Sequence, residues 1–327
     1  MPESAEFARR TEPFRRELLA HCYRMLGSVD DAEDLVQETY LRAWRAYADF
    51  AERSSLRTWL YRIATNACLT ALAHHGRRVL PSGLGAPSND PTAPMIIAGP
   101  EITWLQPMPD ALVNPESDDP AVIAAARDSF RLALVASLQY LPARQRAVLL
   151  LREVLAFPAA EVAAMLDTTT AAVKSTLQRA RARIEEVAPA ADRVTEPTEP
   201  ELLALLDQYI KAFENSDAKA LEQALRQDAA LEMTGTKTWF SGRTTCMPFL
   251  IAQGLGFPGE WRMVPVMANG QPAAVAYRLA EDGIHRVYGV AVLTGGIGGI
   301  AKITVFGDPA LGVKFGQPAE LAENGAR

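Results

Sequence analysis

The sequence predicts a multidomain chain: two all-α helical domains, the second carrying a helix-turn-helix, followed by an α+β domain. Three observations predict it. At 327 residues the chain exceeds one ordinary core and suits two or three domains. Apolar residues recur at helical spacing through residues 7–75 and again through 121–187. Breaker-rich stretches at 76–120 and 188–200 interrupt that pattern. With 49% hydrophobic and 22% charged residues, the composition is that of folded protein. No stretch reaches the ~18 apolar residues of a membrane span, and Met1 to Arg16 mixes acids and bases, so a cytoplasmic protein with no membrane partner is expected. Cys22, Cys68 and Cys246 stand in neither a zinc nor a redox spacing and read as reduced, mostly buried thiols.

In chain order, residues 1–78 form the first helical domain, with Gly27-Ser28-Val29-Asp30 as a helix stop followed by a new N-cap. Residues 79–125 are an interdomain linker. Gly, Pro, Ser and Asn dominate from Gly76 to Pro100, an apolar segment around Trp104 follows, and Asn114 to Pro120 closes it. Residues 126–187 are the second helical domain, where Pro142 and Pro158 each suit a helix N-terminus. A Pro, Thr and Glu run marks a second linker at 188–199. Residues 200–315 begin with two helices, about 200–214 and 217–227. Strands follow, richest in 264–266, 273–279, 286–293 and 301–306, with Gly295 to Gly299 as a turn. Residues 316–327 are a tail.

A net charge of −6 argues against a nucleic-acid binder until its distribution is considered. Residues 1–184 hold 21 acids and 21 bases, whereas 185–327 hold 18 acids and 12 bases. Two windows carry no acid at all: Arg53 to Asn89, with Arg53, Arg57, Arg62, Arg77, Arg78, His74 and His75, and Thr168 to Ile184, with Lys174, Arg179, Arg181 and Arg183.

Three helices carry chemistry. In the helix beginning near Asp30, Asp34, Gln37 and Glu38 cluster around Leu41, opposite Leu35, Val36, Thr39, Tyr40 and Ala43. The next has an apolar stripe of Leu56, Trp59, Leu60, Ile63, Ala64, Ala67 and Ala71. Arg57, Tyr61, Arg62, Thr65 and Asn66 face away from it, a set suited to phosphates and an unstacked base. The third follows Glu161-Val-Ala-Ala-Met-Leu-Asp167 and the hydroxyls of Thr168 to Thr170, which suit an N-cap. Val173, Leu177, Ala180 and Ile184 pin one side of it, and Lys174, Ser175, Gln178, Arg179 and Arg181 occupy the other, a composition fit for major-groove base edges.

The string Gly27 to Trp44 resembles region 2.2 of the extracytoplasmic-function (group IV) sigma-70 family, and Ser55 to Leu69 resembles its regions 2.3 and 2.4. Leu138 to Glu153 resembles region 4.1, and the helix-turn-helix resembles region 4.2. The resemblance implies that Asp34, Gln37, Glu38 and Leu41 dock on the clamp helices of core RNA polymerase, whose flap is the second contact. It further implies that Arg57, Tyr61, Arg62, Asn66, Arg77 and Arg78 serve the promoter minus-ten element, with Asn66 as base reader. Lys174, Ser175, Gln178, Arg179 and Arg181 would serve the minus-thirty-five element. Residues 200–310 resemble a SnoaL-like, ketosteroid-isomerase-like cone: helices, then a curved antiparallel sheet. Sigma factors with such an extension resemble this chain in having an interdomain segment like Trp104 to Asp110, and Trp104 and Leu105 are expected to anchor it to a protein surface.

In the cone, Glu232, Trp239, Asp282, His285 and Tyr288 are the polar candidates, but none forms a diagnostic acid–base spacing. No catalytic set, cofactor or metal is expected. Three readings follow: an initiation factor regulated by its cone, the same helices fused to an isomerase or cyclase, and an autonomous helix-turn-helix regulator. The acidic arc beside a melting-type helix favours the first over the third, and the missing acid–base pair favours it over the second. An anti-sigma factor or a small ligand at the C-terminal domain is the further partner implied. Each promoter-binding region presents only four or five cations, so the free chain should bind duplex weakly and in a salt-dependent manner.

Overall fold

The computed structural model describes residues 4–50, 54–74, 76–113, 131–187 and 199–321. His75, the linker portions 114–125 and 188–198 and the end of the tail therefore lie outside the described residues. The chain divides into two compact units. One comprises residues 1–78 with 112–190, the other 79–111 with 191–327.

The helical unit begins with α1 (Ser4–Thr11), α2 (Arg15–Leu26), α3 (Val29–Ala46) and α4 (Leu56–Leu72). Gly27 ends α2 with φ +72, and Ser28 caps α3 by accepting from the Asp31 amide at 3.1 Å. Every α2 residue from Leu18 to Leu26 is buried, because α3, α4 and the second half of the unit all pack on it. That second half holds α5 (Leu132–Leu138), α6 (Ala143–Leu149), a π-helical turn at Leu150–Val154, α7 (Ala159–Met165) and α8 (Thr170–Val187). Pro142 and Pro158 are the N-cap residues of α6 and α7. Cys22, Cys68 and Cys246 are free and buried.

The second unit has α9 (Glu199–Glu214), α10 (Ala218–Ala224), α11 (Arg243–Phe249) and α12 (Ala310–Lys314). Its main strands are β1 (Leu225–Met233), β2 (Trp239–Ser241), β3 (Trp261–Ala268), β4 (Gln271–Leu279), β5 (His285–Gly296) and β6 (Gly299–Phe306), in the order β2-β1-β6-β5-β4-β3. A short β7 (Glu320–Leu321) pairs with β5. The sheet is mixed rather than antiparallel throughout, because β1 runs parallel to β6. The helix expected over 217–227 stops at Ala224, and strand β1 begins at Leu225 with no breaker between them. Burial of Leu225, Ala229 and Leu231 against α11 and the sheet overrides local propensity. Gly299 permits this junction: its φ is +128, and a Cβ there would lie 2.5 Å from the Ala224 carbonyl.

Residues 79–111, expected to be a linker between domains, group with the C-terminal unit and form a strap on it. Ser88 N–H donates to Trp239 O at 2.8 Å and Lys237 N–H to Ile96 O at 2.7 Å, so the strap covers edge strand β2. Further on, Met108 and Asn269 exchange bonds, Met108 N–H to Asn269 Oδ1 at 2.8 Å and Asn269 N–H to Met108 O at 2.9 Å.

Within the helical unit, His21 is buried, and its Nε2 lies 2.9 Å from Thr65 Oγ1. Burial, aided by the charges of Arg24 and Arg57, pushes its pKa down to about 3. The unfolded chain binds a proton near the ordinary 6.5 that the native state refuses, so stability falls as pH drops from about 6.5 towards 3. Relative to His21→Gln, the wild type should lose about 1.4 kcal/mol per pH unit in that window. Urea titrations of both proteins at several pH values check this, and a constant difference would refute neutral burial.

Candidate nucleic-acid interface

The helix-turn-helix is built by α7 and α8. Asp167 turns the chain between them with φ +47, a left-handed conformation that a short polar side chain tolerates. Thr169 Oγ1 accepts from the Ala172 amide at 3.1 Å, which satisfies one of the free amides at the start of α8. Val173, Leu177 and Ala180 are buried, while Lys174, Ser175, Gln178, Arg179 and Arg181 are exposed together on the outer side. Arg181 pairs with Glu153 at 2.7 Å, Arg179 reaches Thr176 at 3.2 Å, and Ser175 donates to Ala172 O at 3.1 Å.

Helix α4 differs from its sequence expectation. Tyr61 and Thr65, placed on the outward side by periodicity, are fully buried, whereas Trp59 and Ile63 of the apolar stripe are only partly buried. The reason is that α4 is packed on both flanks, by α2 and α3 on one and by α6 and α7 on the other, so its buried arc is wider than one stripe. Tyr61 donates to Glu17 O at 3.3 Å and meets His21 and Phe157 edge-on, each with ring centroids 5.2 Å apart. Burial pushes its phenol well above the ordinary value. Tyr61 therefore supports the helix rather than presenting a ring to a base. Arg57 pairs with Glu17 at 3.0 Å and lies 4.7 Å above the Phe157 ring. Arg62 pairs with Asp167 at 3.5 Å, and Asn66 Nδ2 donates to Met165 O at 3.3 Å. Arg77 sits 4.1 Å over Tyr140, and Arg78 pairs with Asp31 at 2.6 Å. Sequence reasoning missed Phe157, Glu161 and Asp167 as neighbours of this helix, since contacts across about a hundred residues leave no periodic signal.

On α3, Asp34 and Gln37 are exposed, Leu41 is 57% exposed, and Glu38 pairs with Arg42 one turn on at 2.5 Å. Leu41 is thus an exposed apolar side chain within an acidic arc.

In the second unit the five polar candidates do not converge. Glu232 is fully buried, but its carboxylate is taken up by Lys302 Nζ at 2.5 Å, the Thr304 hydroxyl at 3.3 Å and the Ser82 amide of the strap at 3.0 Å. Trp239 donates to Gly85 O at 2.9 Å, and Tyr288 packs edge-on against Trp261. His285 Nε2 lies 3.0 Å from Gly259 O. Asp282 is held by Arg286 at 2.8 Å, which lowers its pKa to about 2. An open depression of about 530 Å³ is lined by Lys219, Glu222, Arg243 and Met247 among others, and by none of the five. Of the strap anchors, Leu105 is buried, while Trp104 stays partly exposed and bridges Val79 through its backbone. Among the described residues no helix is long and apolar enough to cross a membrane, and no cluster of three or more His, Cys, Asp or Glu gathers for a metal.

Comparison with known proteins adds the following. Residues 11–78 match the Sigma-70 region 2 family and residues 131–184 the Sigma-70 region 4 family. The ECF RNA polymerase sigma factor SigG of Mycobacterium tuberculosis (strain H37Rv) is 49% identical over 318 residues, covering 97% of this chain and 85% of that protein. The probable ECF RNA polymerase sigma factor SigI of the same strain is 26% identical over 299 residues, 90% of this chain and 91% of that one. The crystal structure of the M. tuberculosis extracytoplasmic function sigma factor SigJ shares the fold, with TM-score 0.60 over 95% of this chain and 99% of that chain at 22% identity.

The Glu232 arrangement is testable on its own. Lys302→Met leaves a buried carboxylate without its cation and should cost about 3 kcal/mol or more. Thermal unfolding of the full chain reads the loss, and a variant as stable as wild type would show that the pair contributes nothing.

Proposed function

Because this chain belongs to the extracytoplasmic-function RNA polymerase sigma factors, which bind the core enzyme and direct it to promoters, we propose the following division of labour among its surfaces. The α3 arc of Asp34, Gln37, Glu38 and Leu41 docks on the clamp helices of the core. Helix α4 and the residues after it serve the minus-ten element, with Asn66 reading a base and Arg57, Arg62, Arg77 and Arg78 holding phosphates. The outer face of α8, with Lys174, Ser175, Gln178, Arg179 and Arg181, reads the minus-thirty-five element beside the polymerase flap. The chain acts in the cytoplasm.

The observation that carries this reading is the outer face of α8 from Lys174 to Arg179, which bears no acid and keeps Lys174, Ser175, Gln178 and Arg179 exposed on a helix pinned from behind by Val173, Leu177 and Ala180. A helix so placed fits the major groove, where each good base contact contributes about 1–3 kcal/mol of discrimination.

The chain is an initiation factor and not an enzyme. For its C-terminal unit we infer a regulatory role, exercised through the strap, with an anti-sigma factor or a small ligand as a further partner. Support comes from the engaged state of Glu232 and from the grip on Leu105 and Met108, which ties residues immediately after Arg78 to that unit.

Run-off transcription with core polymerase tests both parts. K174A/Q178A should lower promoter-specific transcripts at least about thirtyfold, as expected for two lost base contacts, without changing core binding. Asn269→Gly keeps the left-handed backbone and removes the side-chain clamp on Met108, so it should alter transcript yield while core affinity holds. An unchanged yield would overturn the role of the strap. Tight duplex binding by the free chain in a gel shift would overturn the dependence on core.

A further inference from the structure

We propose that Cys22 and Cys68 form a dithiol site in the core of the helical unit, which a low-molecular-weight disulfide closes to an internal Cys22–Cys68 disulfide that staples α2 to α4. The two helices lie side by side and run in the same direction. Tyr61 of α4 donates to Glu17 O of α2 at 3.3 Å, and one turn further along both helices Thr65 Oγ1 lies 2.9 Å from His21 Nε2. Cys22 follows His21 directly, and Cys68 stands almost one turn beyond Thr65. The thiols meet there: the Cys68 side chain is hydrogen-bonded to that of Cys22, and neither is accessible to solvent.

Packing accounts for two small buried side chains but not for the cation beside them. The Arg146 guanidinium is 3% exposed, acts on Cys68 through its charge, and has an Nε with no hydrogen-bond partner among the described residues. The thiolate is the reactive form of cysteine, and a neighbouring cation favours it. The hydrogen bond to Cys22 and burial nonetheless hold the Cys68 thiol well above its ordinary pKa, so it stays protonated in the closed core and reacts when the unit opens locally. Cys246 is the only other cysteine of the chain and lies in the other unit, so within the helical unit each thiol has a single partner.

The step balances as thiol–disulfide exchange. One cysteine gives up its proton, and its sulfur attacks a sulfur of the small disulfide, forming a mixed disulfide and releasing one small thiolate. The second cysteine, likewise deprotonated, attacks the protein sulfur of that mixed disulfide, forms the Cys22–Cys68 bond and releases the other thiolate. Two electrons pass to the oxidant, and the two protons complete its two thiols. The new bond closes a loop that contains all of α3, so it restricts the unfolded chain and stabilises the helical unit.

The test uses the full chain with oxidised glutathione as the probe, quenched with N-ethylmaleimide and digested without reduction. Mass spectrometry should find the Cys22 and Cys68 peptides linked. In urea, chain length alone favours this pair over those with Cys246 about tenfold, so the folded chain should exceed that preference at least about tenfold again. Cys246→Ala should give the same linked pair, and Cys22→Ala should leave Cys68 with nothing beyond a glutathione adduct. The oxidised chain should unfold at least about 5 °C higher than the reduced one, and dithiothreitol should reverse the shift. Glutathione adducts or links to Cys246 as the main product, no reaction of the folded chain, or the same preference in urea as in buffer overturns the site. A linked pair with no rise in unfolding temperature overturns the staple.

Discussion

The buried guanidinium of Arg146 is the joint on which the helical unit depends. It lies in α6, is 3% exposed, and donates to the Met25 carbonyl, to Gln139 Oε1 at 2.7 Å, and to the Gln139 and Leu141 carbonyls at 3.2 Å each. Gln139 in turn donates to the Arg24 carbonyl at 3.5 Å. Arg24 and Met25 stand in the last turn of α2, where carbonyls lack intrahelical partners and the helix dipole is negative. The second half of the unit therefore caps a helix of the first half with a cation. Burial pulls the Arg146 pKa down to about 10, which still leaves it charged near neutrality. A charge so desolvated is tolerable only with its acceptors in place, which makes the joint specific as well as attractive.

From that joint the rest of the unit follows. With α6 fixed against the end of α2, the segment beyond it brings Phe157 onto Arg57 and Tyr61, and α7 then runs alongside α4. Tyr61 and Thr65 are consequently buried on a side that the sequence assigns to solvent. Amphipathic analysis assumes one packing partner per helix. It reads α3 and α8 correctly, since each is packed on one side, and misreads α4, which is packed on two.

The same physics separates what was legible in the C-terminal unit from what was not. Strands β3 to β6 announce themselves by apolar runs bounded by turns, whereas β1 follows α10 without punctuation and is set by the elements packed on it, β2 and β6 among them. The strap was legible as a breaker-rich segment with an apolar anchor. That it belongs to the sheet rather than to the space between domains was not, because main-chain bonds such as Ser88 to Trp239 carry no residue signature. Glu232 shows the limit from the other side: an acid in a cone suggests catalysis, and only the Lys302, Thr304 and Ser82 contacts reveal it as a structural group.

Magnitudes rank the contacts that join the two halves of the helical unit. Those that Arg62 and Asn66 make with Asp167 and Met165 are individually small, since exposed ion pairs and neutral hydrogen bonds contribute about 1 kcal/mol or less each. The Arg146 joint is buried, and breaking it leaves a charge without acceptors, at several kcal/mol by comparison with other buried ions. The seating of α6 on the end of α2 therefore rests chiefly on one guanidinium, and the weaker contacts along α4 follow from it.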